Sequence, residues 1–265
     1  MGRPFLLPWG DGWYKIRGME NEMDVEKAVR QHIEMDEFFS GGLRVKGTGE
    51  IVVVEMEQNM AKGRVTDAAA GLAKIAAEVG RCCQCGVGAG RKHVVPGEGN
   101  PQARLVFVGE APGADEDEQG RPFVGRAGKL LDGMINAMGL KREDVFICNV
   151  LKCRPPDNRD PRPEEIEKCM PYLLRQIELI GPEVIVALGA HAAKTLLNSN
   201  EAIGKLRGRF HEYYTHEGVA PIKLMPTYHP AYLLRNYSDD NRRRVWEDLQ
   251  KVMGELGLEG KKKKG

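Results

Sequence analysis

The feature that most constrains the fold is an apolar run that leads directly into a long acidic loop. The run is Leu105 to Val108, and its β-branched residues followed by a glycine predict a buried strand. The loop extends from Gly109 to Gly125 and reads GEAPGADEDEQGRPFVG. Apolar residues then recur near helical spacing from Arg126 to Leu140, which predicts a helix. A loop of this kind lies at the carboxyl edge of an open α/β sheet, where ligands bind.

The composition of this loop argues against phosphate binding. It holds four consecutive acidic residues, Asp115 to Glu118. These would repel an anion, whereas a phosphate-binding loop surrounds the anion with backbone amides and a lysine. Carboxylates above a sheet are suited to activating water or to stabilising a cationic transition state. The alternative is an acidic loop that is only solvated, and composition leaves both open.

Strands and helices alternate further along the chain, which predicts a parallel sheet covered by helices on both faces. The further predicted strands are Val145 to Val150, Val184 to Leu188, and a hairpin of Arg209 to Thr215 with Ile222 to Thr227. The further predicted helices cover residues 164–180, 189–197 and 245–256. The fold class is therefore α/β, with a central, mainly parallel sheet.

Polar residues stand at the ends of three predicted strands. These residues are Glu110, Asn149 and His229. The carboxyl ends of parallel strands share one edge of a sheet, so we expect the three side chains to converge on one pocket.

The amino-terminal quarter of the chain is the least informative part. A short helix is predicted from Met23 to Phe39 and a strand from Ile51 to Val54, but neither indicates a function. A clearer helix is predicted from Thr66 to Val79, ending at Gly80. We divide the chain into an amino-terminal extension (1–65), one main domain (66–258) and a basic tail (259–265).

Charge and hydropathy exclude some classes of protein. The formal net charge is +1, so the overall charge does not indicate a nucleic-acid partner, and 42% hydrophobic residues support a packed core. We find neither a signal peptide nor an apolar run of membrane-spanning length. We therefore expect a cytoplasmic protein whose thiols stay reduced.

The cysteines form a metal-binding pattern for such a compartment. Cys82 and Cys85 make a CxxC pair, and Cys153 and Cys169 follow later in the chain. Four thiolates suit either zinc or an iron–sulfur cluster, and the spacing of the cysteines along the sequence does not distinguish a zinc site from a cluster site. Cys148 is predicted to be a buried strand residue, and Cys83 is predicted to point away from the metal.

Several motifs together resemble the family 4 uracil-DNA glycosylases. They are the CxxC pair, GEAPGADEDEQGRPFVGRAG, CNVLKCRPPDNRDP, Cys169 and HPAYLLRN, in this order from Cys82 to Asn236. The resemblance does not cover residues 1–65, which extend beyond the usual compact length of the family. It implies a thermally robust three-layer α/β/α sandwich with a [4Fe–4S] cluster held by Cys82, Cys85, Cys153 and Cys169.

The resemblance also implies roles for residues of the acidic loop and its neighbours. Phe123 would stack on uracil, Asn149 would pair with the Watson–Crick edge, and His229 would face uracil O2. Glu110 is our first choice for handling water, because Ala111 stands where family 1 enzymes have Asp. The loop supplies two further residues. Glu116 would be a catalytic residue or a barrier to thymine, and Asp117 would lie near the sugar. The loop from Arg154 to Pro163 lacks the extra His of a covalent-trapping relative, so we expect turnover.

The expected partner is uracil-containing DNA, single- or double-stranded, bound by a monomer in the cytoplasm or at the nucleoid. Basic residues beside the motifs would contact phosphates without reading sequence. The residues chosen are Arg154, Arg159, Arg207 and Arg235. Tyr232, Leu233 and Leu234 could wedge into the gap left by a flipped base, or could pack in the core instead.

Two other functions remain possible at this stage. The first is a non-catalytic iron–sulfur or zinc nucleic-acid-binding module, related to the amino-terminal segment of phage-type DNA polymerases. The second is a Rossmann-like nucleotide-binding enzyme, which the lack of GxGxxG after the first strand disfavours.

Overall fold

A computed structural model describes residues 6–9, 12–15, 53–215 and 220–259 of the chain. The chain divides into two compact units, residues 1–53 and residues 54–265. In the first unit, β1 (Leu6–Trp9) pairs antiparallel with β2 (Gly12–Lys15). The predicted helix from Met23 to Phe39 and the basic tail from residue 260 onward lie outside the described residues.

The second unit is built on a six-stranded sheet with the order β3-β5-β4-β6-β8-β7. The strands are β3 (Glu98–Gly99), β4 (Leu105–Gly109), β5 (Phe146–Asn149), β6 (Val184–Leu188), β7 (His211–Tyr213) and β8 (Ile222–Thr227). The four central strands run parallel, and the edge strands β3 and β7 pair antiparallel with their neighbours. The prediction of a mainly parallel sheet is confirmed, as is the hairpin of β7 and β8.

Eight α-helices are described around this sheet. They are α1 (Val53–Gly80), α2 (Ala114–Gln119), α3 (Arg126–Ala137), α4 (Pro163–Ile180), α5 (Ala190–Leu197), α6 (Ile203–Leu206), α7 (Pro230–Arg235) and α8 (Asp239–Leu256). None of the described helices has a stretch that is both long enough and apolar enough to cross a membrane.

The central strands are buried on both faces, which explains why they read as unbroken apolar runs. Successive side chains of β4 point to opposite faces, so Leu105 and Phe107 pack in one core and Val106 and Val108 in another. The first core also contains residues of α3 and α8, and the second contains residues of α4 and α5. The layers are therefore helix, sheet and helix, as expected.

The structure differs from the sequence prediction at several elements, including α1, which begins at Val53 rather than Thr66. Val53 and Val54 begin α1, so the predicted strand there is wrong for these two residues, and Ile51 and Val52 lie outside the described residues. The acidic loop contains the short helix α2, which the sequence analysis missed. Helix α8 begins at Asp239 rather than Val245, because Ser238 caps a first turn made of polar residues without apolar periodicity.

Candidate active site

A cleft of about 600 Å³ opens at the carboxyl edge of the central strands. Its size is within the usual range for a small-molecule site. The polar and aromatic residues around it come from the segments after β4, β5, β6 and β8. Those that matter for its chemistry are Glu110, Phe123, Asn149, Asp160, His191 and His229. The expectation that Glu110, Asn149 and His229 share one pocket is confirmed.

Asn149 presents a buried amide to this cleft. The residue ends β5 and is only 2% exposed, yet its Oδ1 atom has no hydrogen-bond partner within the part of the chain that the structure describes. A buried polar atom without a partner costs free energy, on the order of 1–3 kcal/mol, unless a ligand supplies the missing hydrogen bond. The amide therefore has the character of a recognition group.

Phe123 forms an apolar wall beside this amide. A β-carbon added to Gly109 would lie 2.7 Å from Phe123 Cζ, so the glycine allows the ring to sit directly against the end of β4. Phe123 has a φ of +51°, which is unusual for a bulky residue and indicates local backbone strain. Arg142 holds this conformation, donating hydrogen bonds to the carbonyl oxygens of Phe123, at 3.2 Å, and of Pro122.

His229 lies across the cleft from Phe123, with 5.5 Å between the ring centroids. It caps the amino terminus of α7, where its Nδ1 atom accepts a hydrogen bond from the Ala231 backbone amide at 3.1 Å. Burial, with a smaller contribution from Arg235, lowers the pKa of His229 to about 4. The imidazole is therefore neutral at pH 7, and because Nδ1 accepts, its proton is on Nε2.

Glu110 supplies the unpaired carboxylate of the cleft. It follows β4 directly, and its carboxylate accepts no hydrogen bond from any residue that the structure describes. Burial is the largest influence on the pKa of Glu110 and raises it. The charge of His191 lowers this pKa, the charge of Asp160 raises it, and that of Arg235 has a smaller lowering effect. A partly buried carboxylate with a raised pKa and free oxygens is suited to general-base catalysis.

Of the other acidic-loop residues, Ala111 and Glu116 line the cleft, but Glu116 does not have a free carboxylate. Its two oxygens accept hydrogen bonds from three backbone amides, those of Gly113, Val124 and Gly125, at 2.9–3.1 Å. This carboxylate organises the loop, which favours a positioning role or a barrier to thymine over direct catalysis, and its catalytic assignment stays a prediction.

Asp117 is buried and turned away from the cleft. It is 3% exposed, and its Oδ1 atom accepts a hydrogen bond from the Lys92 backbone amide at 2.9 Å. The same oxygen accepts from the His93 amide at 3.4 Å. The assignment of Asp117 to substrate binding is therefore corrected, since the residue ties α2 to a preceding loop.

The predicted DNA contacts divide into exposed and internal groups. Arg235 is exposed at the rim of the cleft, and half-buried Arg154 donates to Asn158 Oδ1 at 2.7 Å. Arg159 lines the cleft but also makes two hydrogen bonds with the buried Glu165 carboxylate.

Two of the predicted DNA contacts are internal, and these assignments are wrong. The Arg207 side chain is 11% exposed and makes hydrogen bonds with both oxygens of Asp248, at 2.8 and 3.0 Å, within the fold. Leu233 is 3% exposed and packs in the core, whereas the neighbouring Leu234 is 37% exposed. Leu234 is therefore better placed than Leu233 to act as a wedge.

Four cysteines line a second, smaller pocket near α1 and α4: Cys82, Cys85, Cys153 and Cys169. Cys153 Sγ accepts a hydrogen bond from Arg91 Nη1 at 3.2 Å, and Cys169 Sγ accepts one from the Lys152 backbone amide at 3.3 Å. Cys83 is exposed, Cys148 is buried in the sheet, and no disulfide joins any of the six cysteines, all of which the structure describes. The structure thus groups the four residues chosen from the sequence and separates the other two.

Sequence reasoning missed two residues of the cleft, Asp160 and His191. One ligand-type atom from each of them and one from Glu110 all lie within 4.8 Å of one another. The sequence position of His191 could have identified it, because His191 follows β6 at the edge of the sheet where the other predicted site residues follow their strands.

Comparison with known proteins agrees with this geometry. A family profile described as "Uracil DNA glycosylase superfamily" matches residues 96–250. The type-4 uracil-DNA glycosylase of Thermotoga maritima is 48% identical over 187 residues, which are 70% of this chain and 95% of that protein. The type-4 enzyme of Saccharolobus solfataricus is 50% identical over 183 residues, 67% of this chain and 83% of that protein.

A DNA polymerase of Bacillus phage SP01 is also similar, with 34% identity over 140 residues. That match covers 52% of this chain and 14% of the polymerase. The type-4 glycosylases are more similar to this chain and are matched over most of their own length. The chain belongs to the uracil-DNA glycosylase superfamily, and within it to the type-4 uracil-DNA glycosylases.

Proposed function

We propose that this chain is an enzyme that hydrolyses the N-glycosidic bond of uracil in DNA and so begins base excision repair. The observation that carries the proposal is the buried amide of Asn149, whose Oδ1 atom has no partner among the described residues and which lines the same cleft as Phe123. An enzyme that acts on a base must take it out of the helical stack and hold it in a fitted pocket. The membership of the family and this pocket support the same reaction.

Recognition of uracil follows from the chemistry of the Asn149 amide. Its Oδ1 atom, which has no partner among the described residues, accepts a hydrogen bond from uracil N3–H, and its Nδ2 group donates to O4. Cytosine presents the opposite pattern of donor and acceptor at these positions and would leave the amide unpaired. Phe123 provides the stacking surface, and Glu116, from the cleft lining, would crowd the C5 methyl group of thymine.

The bond between C1′ and N1 breaks with its electron pair moving onto uracil, and the sugar becomes oxocarbenium-like. His229 donates from Nε2–H to uracil O2, where negative charge develops. A neutral donor at such a position contributes roughly 3–4 kcal/mol. The Glu110 carboxylate accepts a proton from a water molecule while the oxygen of that water adds to C1′. The uracil anion is released as such or after protonation.

A single-turnover assay on single-stranded DNA with one uracil tests this proposal. We expect excision by the unaltered protein and a large loss of rate and selectivity in Asn149→Ala. Asn136→Ala, at an exposed position of α3, is the matched control and should behave like the unaltered protein. If folded protein excised no uracil, or if Asn149→Ala kept full rate and selectivity, the proposal would fail.

We further infer that Cys82, Cys85, Cys153 and Cys169 hold a [4Fe–4S] cluster rather than a single zinc ion. Four thiolates around one zinc would lie about 3.8 Å apart, given Zn–S bonds of about 2.3 Å. Within the described part of the chain, the only group of three ligand-type atoms that all lie within 4.8 Å of one another is that of Glu110, Asp160 and His191. The four thiols line one pocket without forming such a compact group, which suits a cluster. The cluster would supply a covalent link between the segment after α1, the loop after β5 and α4.

Binding of DNA would use the rim of the cleft. We propose phosphate contacts from Arg154, Arg159 and Arg235, and insertion of Leu234 into the gap left by the flipped base. A monomer acting in the cytoplasm or at the nucleoid stays a prediction. A non-catalytic DNA-binding module would not need Glu110, Asn149 and His229 together in one cleft, and the excision assay separates the two functions.

A further inference from the structure

We propose that His191 is a positioning residue of the excision reaction, which acts by keeping the Glu110 carboxylate ionised and available to water. This inference rests on the proposed role of Glu110 as the general base. His191 was not among the residues that the motifs singled out, and it reaches the cleft from α5, an element that carries no other assigned site residue.

The geometry brings three ionisable groups together from three separate elements. Glu110 follows β4, Asp160 lies in the loop before α4, and His191 is the second residue of α5. One side-chain atom of each lies within 4.8 Å of the others, and His191 Nε2 is 3.5 Å from Asp160 Oδ2. His191 therefore lies close enough to both carboxylates for its charge to act on Glu110.

The charges around Glu110 explain why such a group is needed. Burial raises the pKa of this carboxyl and so favours its neutral form, which cannot accept a proton from water; Asp160 acts in the same direction. The opposing charges are those of His191 and Arg235. Of these two, His191 has the larger effect, and Arg235 is exposed at the rim, where salt and a bound phosphate screen its charge.

A bound divalent cation is the alternative use of the same three groups. Two of these three groups are carboxylates, and the Asp160 side chain is 76% exposed. Exposed acidic groups are common without a bound cation. The charge of His191 lowers the pKa of Glu110 without a metal ion. We therefore favour a direct role of His191 over a bound metal ion, and the effect of EDTA and Mn²⁺ on excision distinguishes the two.

The test is the pH dependence of single-turnover uracil excision, measured between pH 5 and pH 9 with cluster-loaded protein. In His191→Ala, the acidic limb of the pH–rate profile should move to higher pH, because the charge of His191 no longer lowers the pKa of Glu110. We expect a loss of about 3- to 10-fold on the acidic side and a rate near normal at pH 9, since one pKa unit corresponds to a factor of ten. His191→Lys, which restores a positive charge, should recover most of the acidic-side rate.

Lys194→Ala is the matched control, because it removes a cation from the same helix that does not act on Glu110. It should leave the profile unchanged. A uniform loss in His191→Ala at every pH, or no shift at all, would overturn the proposal. So would excision that disappears with EDTA and returns with Mn²⁺. If Glu110→Gln kept the normal rate and profile, the assignment of Glu110 would fail instead.

Discussion

The buried Nζ atom of Lys152 donates a hydrogen bond to the backbone carbonyl oxygen of Asn149 at 2.8 Å. The same Nζ atom donates to Gln176 Oε1 at 2.6 Å, and the Lys152 backbone amide donates to Cys169 Sγ. One residue thus contacts both the strand end that carries the recognition amide and a cysteine of the second pocket. The two sites are linked through a single residue that is 1% exposed, by its side chain to Asn149 and by its backbone amide to Cys169.

Lys152→Met tests this link. The change leaves the Asn149 carbonyl and the Gln176 amide oxygen buried without their donor, so we expect a loss of about 3 kcal/mol in the free energy of unfolding. Excision should slow as well, because the position of Asn149 is less well fixed. Denaturant unfolding and single-turnover excision measure the two effects, with Lys129→Met at an exposed site of α3 as control. Unchanged stability and rate would show that the link has no energetic importance.

The cysteines give a spectroscopic prediction. Protein prepared without oxygen should be brown and should contain about four irons per chain, as four thiolate ligands imply. Cys153→Ser or Cys169→Ser should lose this iron, whereas Cys83→Ser, whose thiol is exposed and outside the pocket, should keep it. Stoichiometric zinc in protein that was expressed with ample iron would contradict the cluster.

The order of strands and helices could be predicted because β4, β5 and β6 are buried on both faces and read as plain apolar runs. The three strand-end residues could be predicted for the same reason, since position at one edge of the sheet brings them together. Helix α2 could not, because its stability comes from the Glu116 carboxylate bonding backbone amides of the loop, which has no apolar period. Arg207 and Leu233 were misassigned because the groups that bury them, such as Asp248, are distant in sequence.

The buried His229 predicts a specific dependence of stability on pH. Its pKa in the unfolded chain is near the ordinary value of 6.5, and in the folded chain it is about 4. Between these values the unfolded state binds the extra proton, so stability falls as the pH is lowered from 7 to 5, by about 2 kcal/mol from this residue. In His229→Gln the fall between pH 7 and pH 5 should be smaller by that amount. Guanidinium unfolding at the two pH values measures it, and equal losses in both proteins would mean that His229 is not buried in its neutral form.

The last prediction separates the catalytic role of His229 from its role as a helix cap. Its Nδ1 atom caps α7, so His229→Ala should cost about 1 kcal/mol of stability for the lost cap alone. Its Nε2–H faces a charge that develops only as the glycosidic bond breaks, so single-turnover excision should fall by roughly 100-fold or more, with little change in affinity for abasic-site DNA.

Ser238→Ala is the matched control for that variant, because Ser238 caps α8 through a hydrogen bond from the Asn241 amide at 3.1 Å and lies outside the cleft lining. It should lose similar stability and keep the normal excision rate. If His229→Ala lost stability while excising uracil about as fast as Ser238→Ala, His229 would be a structural cap. The charge that develops on uracil O2 would then need another hydrogen-bond donor, and Arg235, which also lines the cleft, would be the first candidate for that donor.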